Sequence, residues 1–270
     1  MFTLKVNDTK LLNNTIGTIS EFITDATFNI TNEGLKLVAM DPANISMVIL
    51  TILPSAFTEY QVNEPSKITI NLDGFRQALR RVRAGESLTL THSSNKLNVT
   101  IKGSSTKRFS IPLLEDEQVE RKVPELDFKV TIEMDSKEFR DFIDDASIVS
   151  DAVALKAAEN LLLLTAGDTG RKVDIELKQG SDILVSMNIK EPASSIYSVE
   201  YMKKMAKAAS FADSSKVSGA SPSGLVPFMG RVTIARDSSL YCINNSGDID
   251  MTYLPSSGNS SHAPYHPPGF

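Results

Sequence analysis

Two stretches of the sequence carry cationic side chains at helical spacing, and their chemistry is that of phosphate binding. Arg76, Arg80 and Arg83 follow one another at intervals of four and three residues, which places them on one face of a helix. Lys203 and Lys207 share a face in the same way. No acid interrupts either stretch, although the chain has a formal net charge of −5. A solvated face normally mixes positive and negative charges. Because these stretches contain only positive ones, contact with nucleic-acid phosphates explains them as well as simple exposure to solvent does.

The other two predicted helices are less basic. The first carries only Lys10 near its start, and the third mixes Lys137 and Arg140 with four acids. No aromatic ladder accompanies the cations, so stacking on single-stranded bases is not indicated. Cations without base-reading partners instead predict contact with a nucleic-acid backbone, without sequence specificity.

Catalytic and metal-binding motifs are scarce. Asp168-Thr169-Gly170 matches the triplet of aspartic proteases, but that chemistry needs two carboxylates that share a proton. The corresponding place in the first half is Asp41-Pro42-Ala43, so the second triplet is missing. His92 lies in a predicted turn and the other two histidines lie in the tail, and no phosphate-binding loop or zinc motif occurs. We therefore predict no catalytic residue, metal or cofactor; a hydrolase that uses the carboxylate of Asp168 is the alternative.

The composition limits the class of protein. The chain has 270 residues, 41% hydrophobic and 23% charged, which is typical of a globular protein with room for two domains. Cys242 is the only cysteine, so no disulfide can form within the chain, and we expect a reducing compartment. The N-terminus lacks the pattern of a signal peptide, and no apolar run is long enough to span a membrane.

A repeated segment divides the chain into two halves. The pairs Asp25/Asp151 and Asp41/Asp168 bracket two similar stretches that lie nearly half a chain apart. Such a period indicates two copies of one domain. After the shared strand the copies diverge, because Met40–Val48 continues into a second apolar strand where the other copy has a polar turn. That divergence is expected if only the first copy binds a partner.

Apolar periodicity predicts the elements that position these residues. One helix carries Leu12, Ile16, Ile19 and Ile23 on one face; the others are 73–84 with Gly85 as its stop, one capped by Ser136, and 200–209. The unbroken run 161–164 predicts a strand that is buried on both faces. The predicted strands are 2–6, 34–39, 46–53, 67–72, 87–91, 96–102, 108–113, 128–134, 153–155, 161–166, 172–178, 183–189, 231–235 and 250–254.

The predicted domains are an N-terminal one over residues 1–113 and a C-terminal one over residues 127–255. Residues 114–126 are charged, aperiodic and interrupted by Pro124, which favours an extended connector over an exposed helix with salt bridges. Residues 256–270 have the composition of a disordered tail.

Several segments together resemble the DNA sliding clamp family of proliferating cell nuclear antigen, and they resemble archaeal members more than animal ones. They are Ala39-Met40-Asp41-Pro42, Ile45-Ser46-Met47-Val48, Arg108-Phe109-Ser110-Ile111-Pro112-Leu113 and Val123-Pro124-Glu125-Leu126-Asp127-Phe128. The resemblance extends over about residues 1–209. It implies an α+β fold of two repeated clamp domains, each with helices on one side of antiparallel sheets. Three chains would join head to tail into a closed ring whose helices line the hole.

The resemblance also implies three surfaces. The implied DNA-binding residues are Lys10, Arg76, Arg80, Arg83, Lys203, Lys204 and Lys207; Asp141 and Asp144 depart from the basic pattern of a relative. The implied groove for partner peptides comprises Met40, Asn44, Ile45, Met47, Val123, Pro124, Leu126, Phe128, Pro227, Tyr253 and Pro255. For Met40 and Met47, core packing is the alternative. The implied subunit interface joins Lys107, Arg108, Phe109, Ile111 and Leu113 to Val173, Ile175 and Leu177 of the next subunit.

The function that the resemblance implies is a homotrimeric processivity factor around duplex DNA, acting in replication and repair. Its implied partners are DNA polymerase, clamp loader, flap endonuclease and DNA ligase, bound through peptides of the pattern Gln-x-x-aliphatic-x-x-aromatic-aromatic. We expect no membrane partner and an intracellular location with the DNA, in archaeal cytoplasm or a eukaryotic nucleus. The alternatives are a checkpoint-type or heterotrimeric clamp subunit, and an interaction module that never meets DNA.

Overall fold

The computed structural model describes residues 1–93, 95–115, 128–209, 214–219, 228–234 and 238–244. The first half contains β1 (Phe2–Val6), α1 (Lys10–Ile19), β2 (Asp25–Thr31), β3 (Gly34–Met40), β4 (Ser46–Ile52), a 3₁₀ turn (Pro54–Ala56), β5 (Glu59–Val62), β6 (Ser66–Asn71), α2 (Leu72–Leu79), β7 (Ser87–Ser93), β8 (Lys96–Lys102) and β9 (Thr106–Pro112). The second half contains β10 (Val130–Asp135), α3 (Ser136–Val149), β11 (Ala152–Ala158), β12 (Leu161–Gly167), β13 (Lys172–Lys178), β14 (Leu184–Ile189), β15 (Ala193–Ser198), α4 (Val199–Ala208), β16 (Ser214–Gly219), β17 (Phe228–Ile234) and β18 (Ser238–Asn244).

The two halves repeat one strand topology. In the first half β1 pairs with β5 and β7, and β2 pairs with β3 and β6. In the second half β10 pairs with β14 and β16, and β11 pairs with β12 and β15. The hairpins β2–β3 and β11–β12 both turn through two residues, which aligns Gly34 with Leu161. The predicted duplication of an α+β unit is therefore confirmed.

All strand pairs among the described residues are antiparallel, and these strands form three sheets. Their orders are β5-β1-β7-β8-β9, β14-β10-β16-β17-β18-β4-β3-β2-β6 and β13-β12-β11-β15. The nine-stranded sheet is a fusion, because β18 of the second half pairs with β4 of the first. In the repeat, β9 of the first half corresponds to β18, and β13 of the second half corresponds to β4. Both β9 and β13 are sheet edges in the described part of the chain.

Side-chain caps start two of the helices. Asn71 accepts the amides of Asp73 and Gly74 at α2, and Asp135 accepts the amides of Lys137 and Glu138 at α3. The prediction that Ser136 caps the third helix is wrong, because its hydroxyl instead shares a 2.8 Å hydrogen bond with the buried Ser215. No helix among the described residues is long and apolar enough to cross a membrane.

Several other sequence predictions need correction. The strand of Leu161–Leu164 is buried on one face only, because its burial alternates along β12. His92 lies in β7 rather than a turn, where its ring stacks on Phe2 at 5.8 Å. Strands β5, β15, β16 and β18 were not predicted; β16 follows the fourth helix and pairs with β10. The predicted strand 250–254 lies outside the described residues.

Candidate nucleic-acid and partner surfaces

The four helices form one row across both halves. Helix α1 packs beside α2 and α4, and α4 packs beside α3, which gives the order α2-α1-α4-α3. Their apolar faces are buried, as Phe75 of α2 and Met205 of α4 illustrate. Charged side chains project from the opposite side, where Lys10, Lys203 and Lys207 are exposed. The row thus collects cations that are distant in sequence, as a surface for a long polyanion requires.

The exposed lysines of α4 are paired with acids from neighbouring elements. Lys203 Nζ lies 3.3 Å from Asp144 of α3 and donates to Ser147 Oγ at 3.1 Å. Lys207 Nζ donates to both carboxylate oxygens of Glu21, just after α1, at 2.7 Å. These pairs link adjacent helices and offset part of the positive charge of α4.

Lys204 is the least exposed of the three predicted lysines of α4. It pairs with Glu200 at 2.7 Å, one helical turn earlier, and its ammonium lies 5.0 Å from the ring centre of Tyr201. Both contacts are local, and together they hold the side chain along its own helix.

Helix α2 ends at Leu79, so the prediction of a helix as far as Ala84 is wrong. The amide of Arg80 still bonds to Arg76 O four residues back, but the amides of Arg81 and Val82 bond to carbonyls three residues back, which tightens the final turn. The amide of Arg83 donates to Glu86 Oε2 at 2.9 Å, and Glu86 is also held by Lys107 Nζ at 3.0 Å. These contacts lower the pKa of the Glu86 carboxyl, with the Arg83 amide as the larger cause. The carboxylate therefore fixes the turn that carries the later arginines.

Three arginines in and just after α2 fall into two groups. Arg76 lies 3.3 Å from Asp73 and donates to Ser20 Oγ at 3.2 Å. Arg80 and Arg81, at and just beyond the end of α2, are exposed and form no ion pair with any residue that the structure describes. The first half therefore presents cations that are available for a ligand, whereas the exposed lysines of α4 are paired.

The β3–β4 loop is organised by a buried aspartate. Asp41 is only 5% exposed, and its Oδ1 accepts the amides of Ile45 and Ser46 at 2.7 and 2.6 Å. Asn44 adopts a left-handed conformation with φ of 56°, and its side chain faces solvent. The carboxylate thus closes the loop and fixes the direction of the residues that were predicted to line a peptide groove.

The structure brings together part of the predicted groove. Met40 and Met47 face each other across β3 and β4. Met40 and Ile45 are half-buried, whereas Met47 is buried at 8% exposure, as the alternative of core packing expects. Phe128 is half-buried just before β10. The remaining predicted groove residues, Val123, Pro124, Leu126, Pro227, Tyr253 and Pro255, lie outside the described residues.

The predicted interface residues lie on or directly after β9 and on β13, which are both edge strands among the described residues. Phe109 and Ile111 point to the buried side of β9, and Val173, Ile175 and Leu177 point to the same side of β13. Arg108 lies on the outer side of β9. Lys107 and Leu113 are engaged within the chain: Lys107 pairs with Glu86, and the Leu113 amide bonds to Asn95 O at 3.0 Å.

Comparison with known proteins decides the family. Residues 1–137 match the model of the N-terminal domain of proliferating cell nuclear antigen, and residues 122–235 match the model of its C-terminal domain. The chain belongs to the proliferating cell nuclear antigen family. It is 37% identical over 210 residues to the DNA polymerase sliding clamp of Nanoarchaeum equitans, which covers 76% of this chain and 84% of that relative. It is 33% identical over 199 residues to the DNA polymerase sliding clamp of Pyrococcus furiosus, covering 73% and 80%.

The fold agrees with a solved member of the family. A crystal structure of proliferating cell nuclear antigen from Thermococcus kodakaraensis matches with a TM-score of 0.83, at 22% identity, over 90% of this chain and 99% of that chain. The predicted family and the predicted fold of two repeated clamp domains are confirmed.

Within this clamp fold, Asp168 has a structural role. Its Oδ1 accepts the amides of Gly170 and Arg171 at 2.8 and 3.4 Å in the β12–β13 turn. Those hydrogen bonds lower the pKa of the Asp168 carboxyl. A protease dyad needs a second carboxylate that shares a proton with the first, and among the described residues Asp168 bonds to backbone amides and to no other carboxyl group, so it does not fit the hydrolase hypothesis.

The sequence did not predict the contacts that three residues make on these surfaces. Glu21 and Asp144 neutralise lysines of α4, and Tyr201 donates to Asp41 at 2.7 Å. Glu21 and Tyr201 lie 186 and 160 residues from their partners, so no local spacing connects them. A signal existed only for Asp144, as an acid on a helix where the family resemblance led us to expect a cation.

Proposed function

We propose that this chain is the subunit of a homotrimeric sliding clamp that encircles duplex DNA and tethers replication and repair enzymes to it. The observation that carries the proposal is the pairing of β18 with β4 inside one chain. This pairing shows how two copies of the repeat join within one chain. Family membership supplies the function, and the free edges supply the means of assembly.

The internal junction predicts the junction between subunits. By the repeat, β9 is equivalent to β18 and β13 is equivalent to β4. The edge of β9 in one subunit is therefore free to add to β13 of the next, as β18 adds to β4 within the chain. A contact between two different edges is head to tail, and it closes into a ring when the rotation per copy is right.

The strand register can be transferred from the internal junction. Leu50 is equivalent to Ile175, because they pair with the equivalent residues Leu37 and Leu164. Lys107 is equivalent to Leu240, because the strand pairs lead from them to Val6 of β1 and Met134 of β10, the last buried residues of those equivalent strands. Since Leu50 pairs with Leu240, Ile175 is expected opposite Lys107 of the neighbouring subunit. The same register places Val173 opposite Phe109 on the buried side.

Charge supports that register. It sets Arg108 opposite Asp174 on the outer side of the joined sheet. Within the chain the Asp174 carboxylate accepts from Lys172 at 2.8 Å and from Thr165 at 2.8 Å, contacts that lower its pKa and keep it ionised. Opposite charges in directly facing positions stabilise a strand pair by about 0.2–1 kcal/mol.

A matched charge exchange tests the junction. We expect the wild type to have three times the chain mass of 29.5 kDa by light scattering. Arg108→Asp should shift the equilibrium toward monomer, and Arg108→Asp combined with Asp174→Arg should restore the trimer. A monomeric wild type would contradict the homotrimer and favour a heterotrimeric or checkpoint-type subunit. Failure of the exchange to restore assembly would reject the register alone.

DNA contact follows from the row of helices. In the ring, α1 to α4 of each subunit would face the hole and offer Lys10, the first-half arginines and the α4 lysines to phosphates. Weak and interchangeable contacts of this kind carry no sequence information, which permits sliding. Encirclement, rather than tight binding, would retain the clamp on DNA.

The outer surface would bind client enzymes. We assign the peptide groove to the β3–β4 loop together with the connector 114–126 and the chain end near residues 227 and 253–255. DNA polymerase, clamp loader, flap endonuclease and DNA ligase would dock there through short peptides. The clamp would itself catalyse no reaction and would work wherever the cell keeps its DNA, in archaeal cytoplasm by the similarity to archaeal relatives.

A further inference from the structure

A tyrosine of the second half reaches the loop that we assign to partner peptides. Tyr201 of α4 donates its hydroxyl to Asp41 Oδ2 at 2.7 Å. The other oxygen of the same carboxylate accepts the amides of Ile45 and Ser46. Asp41 is 5% exposed, so water has little access to it. One buried carboxylate therefore connects both ends of the β3–β4 loop to the row of helices.

We propose that Asp41 and Tyr201 are positioning residues for partner-peptide binding, in which the tyrosine holds the carboxylate in the orientation that shapes the β3–β4 loop. The inference rests on the proposed function, because the role of this loop in peptide binding is itself a proposal. It adds that the first half's groove depends on a residue of the second half.

The number of donors to the Asp41 carboxylate explains why the Tyr201 hydroxyl affects the loop. A buried carboxylate needs donors, and loss of one leaves an acceptor whose desolvation is uncompensated. Without the hydroxyl, Oδ2 of Asp41 must find another donor by rotation of the carboxylate or entry of water, and rotation weakens the bonds from the amides of Ile45 and Ser46 to Oδ1. Burial, reinforced by the bond to Asp41, raises the pKa of Tyr201, so the hydroxyl stays a donor through the neutral range.

Comparison with the second copy shows that the arrangement is specific to one loop. Asp168 is the counterpart of Asp41, and its carboxylate accepts amides of Gly170 and Arg171 within its own exposed turn. Among the described residues, no side-chain hydroxyl from another element donates to Asp168. The tyrosine therefore accompanies the longer loop, next to the half-buried Met40, and not the repeat as such.

The test is a pair of tyrosine variants of the full-length chain. Tyr201→Phe removes the hydroxyl and keeps the ring. Tyr60→Phe is the control, because its hydroxyl also donates at 2.7 Å, to Thr31 O, but Tyr60 lies in β5, in a different sheet from β3 and β4. A synthetic peptide of the pattern Gln-x-x-Leu-x-x-Phe-Phe is titrated into each. We expect about three- to tenfold weaker binding for Tyr201→Phe and no change for Tyr60→Phe. Amide exchange at Ile45 and Ser46 should accelerate in Tyr201→Phe only.

The outcomes separate this inference from the proposed function. If the wild type binds the peptide and Tyr201→Phe binds it equally well, the positioning role is wrong while the groove stands. Equal losses in both variants would point to general destabilisation and would also overturn the role. If the wild type does not bind the peptide, the assignment of the groove fails and this inference fails with it.

Discussion

The two halves of the chain present cations along one row of helices, but in different states. In the first half Arg80 and Arg81 are exposed and have no ion pair among the described residues. In the second half Lys203 is paired with Asp144, and Lys207 is paired with Glu21. The same repeat therefore offers free charge from one copy and partly neutralised charge from the other.

The difference shows that a count of basic residues does not measure a DNA surface. An exposed ion pair contributes only about 0–1 kcal/mol to stability, so phosphates can compete with it. The acid nevertheless remains beside the lysine and repels the phosphate that would replace it. We infer that the first half makes the stronger contacts with DNA in each subunit, and that the α4 lysines also link adjacent helices.

The largest effect is expected from the free arginines. Arg80→Glu with Arg81→Glu should lower affinity for a linear duplex at low salt by about tenfold or more, because two uncompensated cations per subunit become anions. The slope of log affinity against log salt should fall by about 2 for each subunit that contacts the duplex. Fluorescence anisotropy across a salt series measures both. Lys36→Glu, a charge reversal on β3, is the control and should change neither.

A smaller effect is expected from the paired lysines. Lys203→Glu with Lys207→Glu should lower the same affinity by about threefold or less, since acids already offset both ammonium groups. Anisotropy on the same duplex gives the comparison. A loss equal to that of the arginine variant would show that the two halves contribute alike, and would break the distinction drawn here.

Removal of an acid should act in the opposite direction. Glu21→Gln removes the negative charge that lies 2.7 Å from the Lys207 ammonium, so we expect affinity for duplex DNA to rise by about twofold. The free energy of unfolding should fall by less than about 1 kcal/mol, because the pair lies at the surface. Chemical denaturation measures the second quantity. Unchanged DNA affinity in this variant would indicate that Lys207 does not face the duplex.

The smallest effect concerns the turn that carries the arginines. The pKa of Glu86 is below its ordinary value of 4.5 in the folded chain, so its ionised form stabilises the fold above that pH. The stabilisation is lost as the pH falls through the lowered pKa. The difference in melting temperature between the wild type and Glu86→Gln should therefore be constant near neutrality and shrink below about pH 4.5. A difference that widens in acid would contradict the assigned contacts.

Local sequence patterns predicted the elements well where local physics decides them. Strands 2–6, 96–102 and 172–178 have their predicted bounds, because alternation of apolar residues matches the pleat of a half-buried sheet. The helical spacing of Leu12, Ile16 and Ile19 likewise identified α1. The repeat of residues 25–41 at residues 151–168 revealed the duplication, and the resemblance to the clamp family supplied the fold class.

Contacts between distant residues explain what the sequence did not predict. Helix α2 has the composition to continue, but Glu86 takes the amide of Arg83 and Lys107 holds Glu86. Strand β16 is rich in serine and exists because β10 offers an edge. Residues 201–209 were correctly described as free of acids, but Glu200 in the first turn of α4 pairs with Lys204, and Glu21 neutralises Lys207 only because the helices pack together. The candidate DNA, groove and interface residues stay predictions until they are tested.

The most direct test of the central claim is retention on DNA whose topology is changed. The wild-type chain is loaded on nicked circular DNA with an archaeal clamp loader and ATP, and the complex is separated by gel filtration before and after one restriction cut. An encircling clamp should remain with the circle and be lost from the linear product, because it slides off the ends. Equal retention on circular and linear DNA would contradict encirclement and indicate ordinary surface binding.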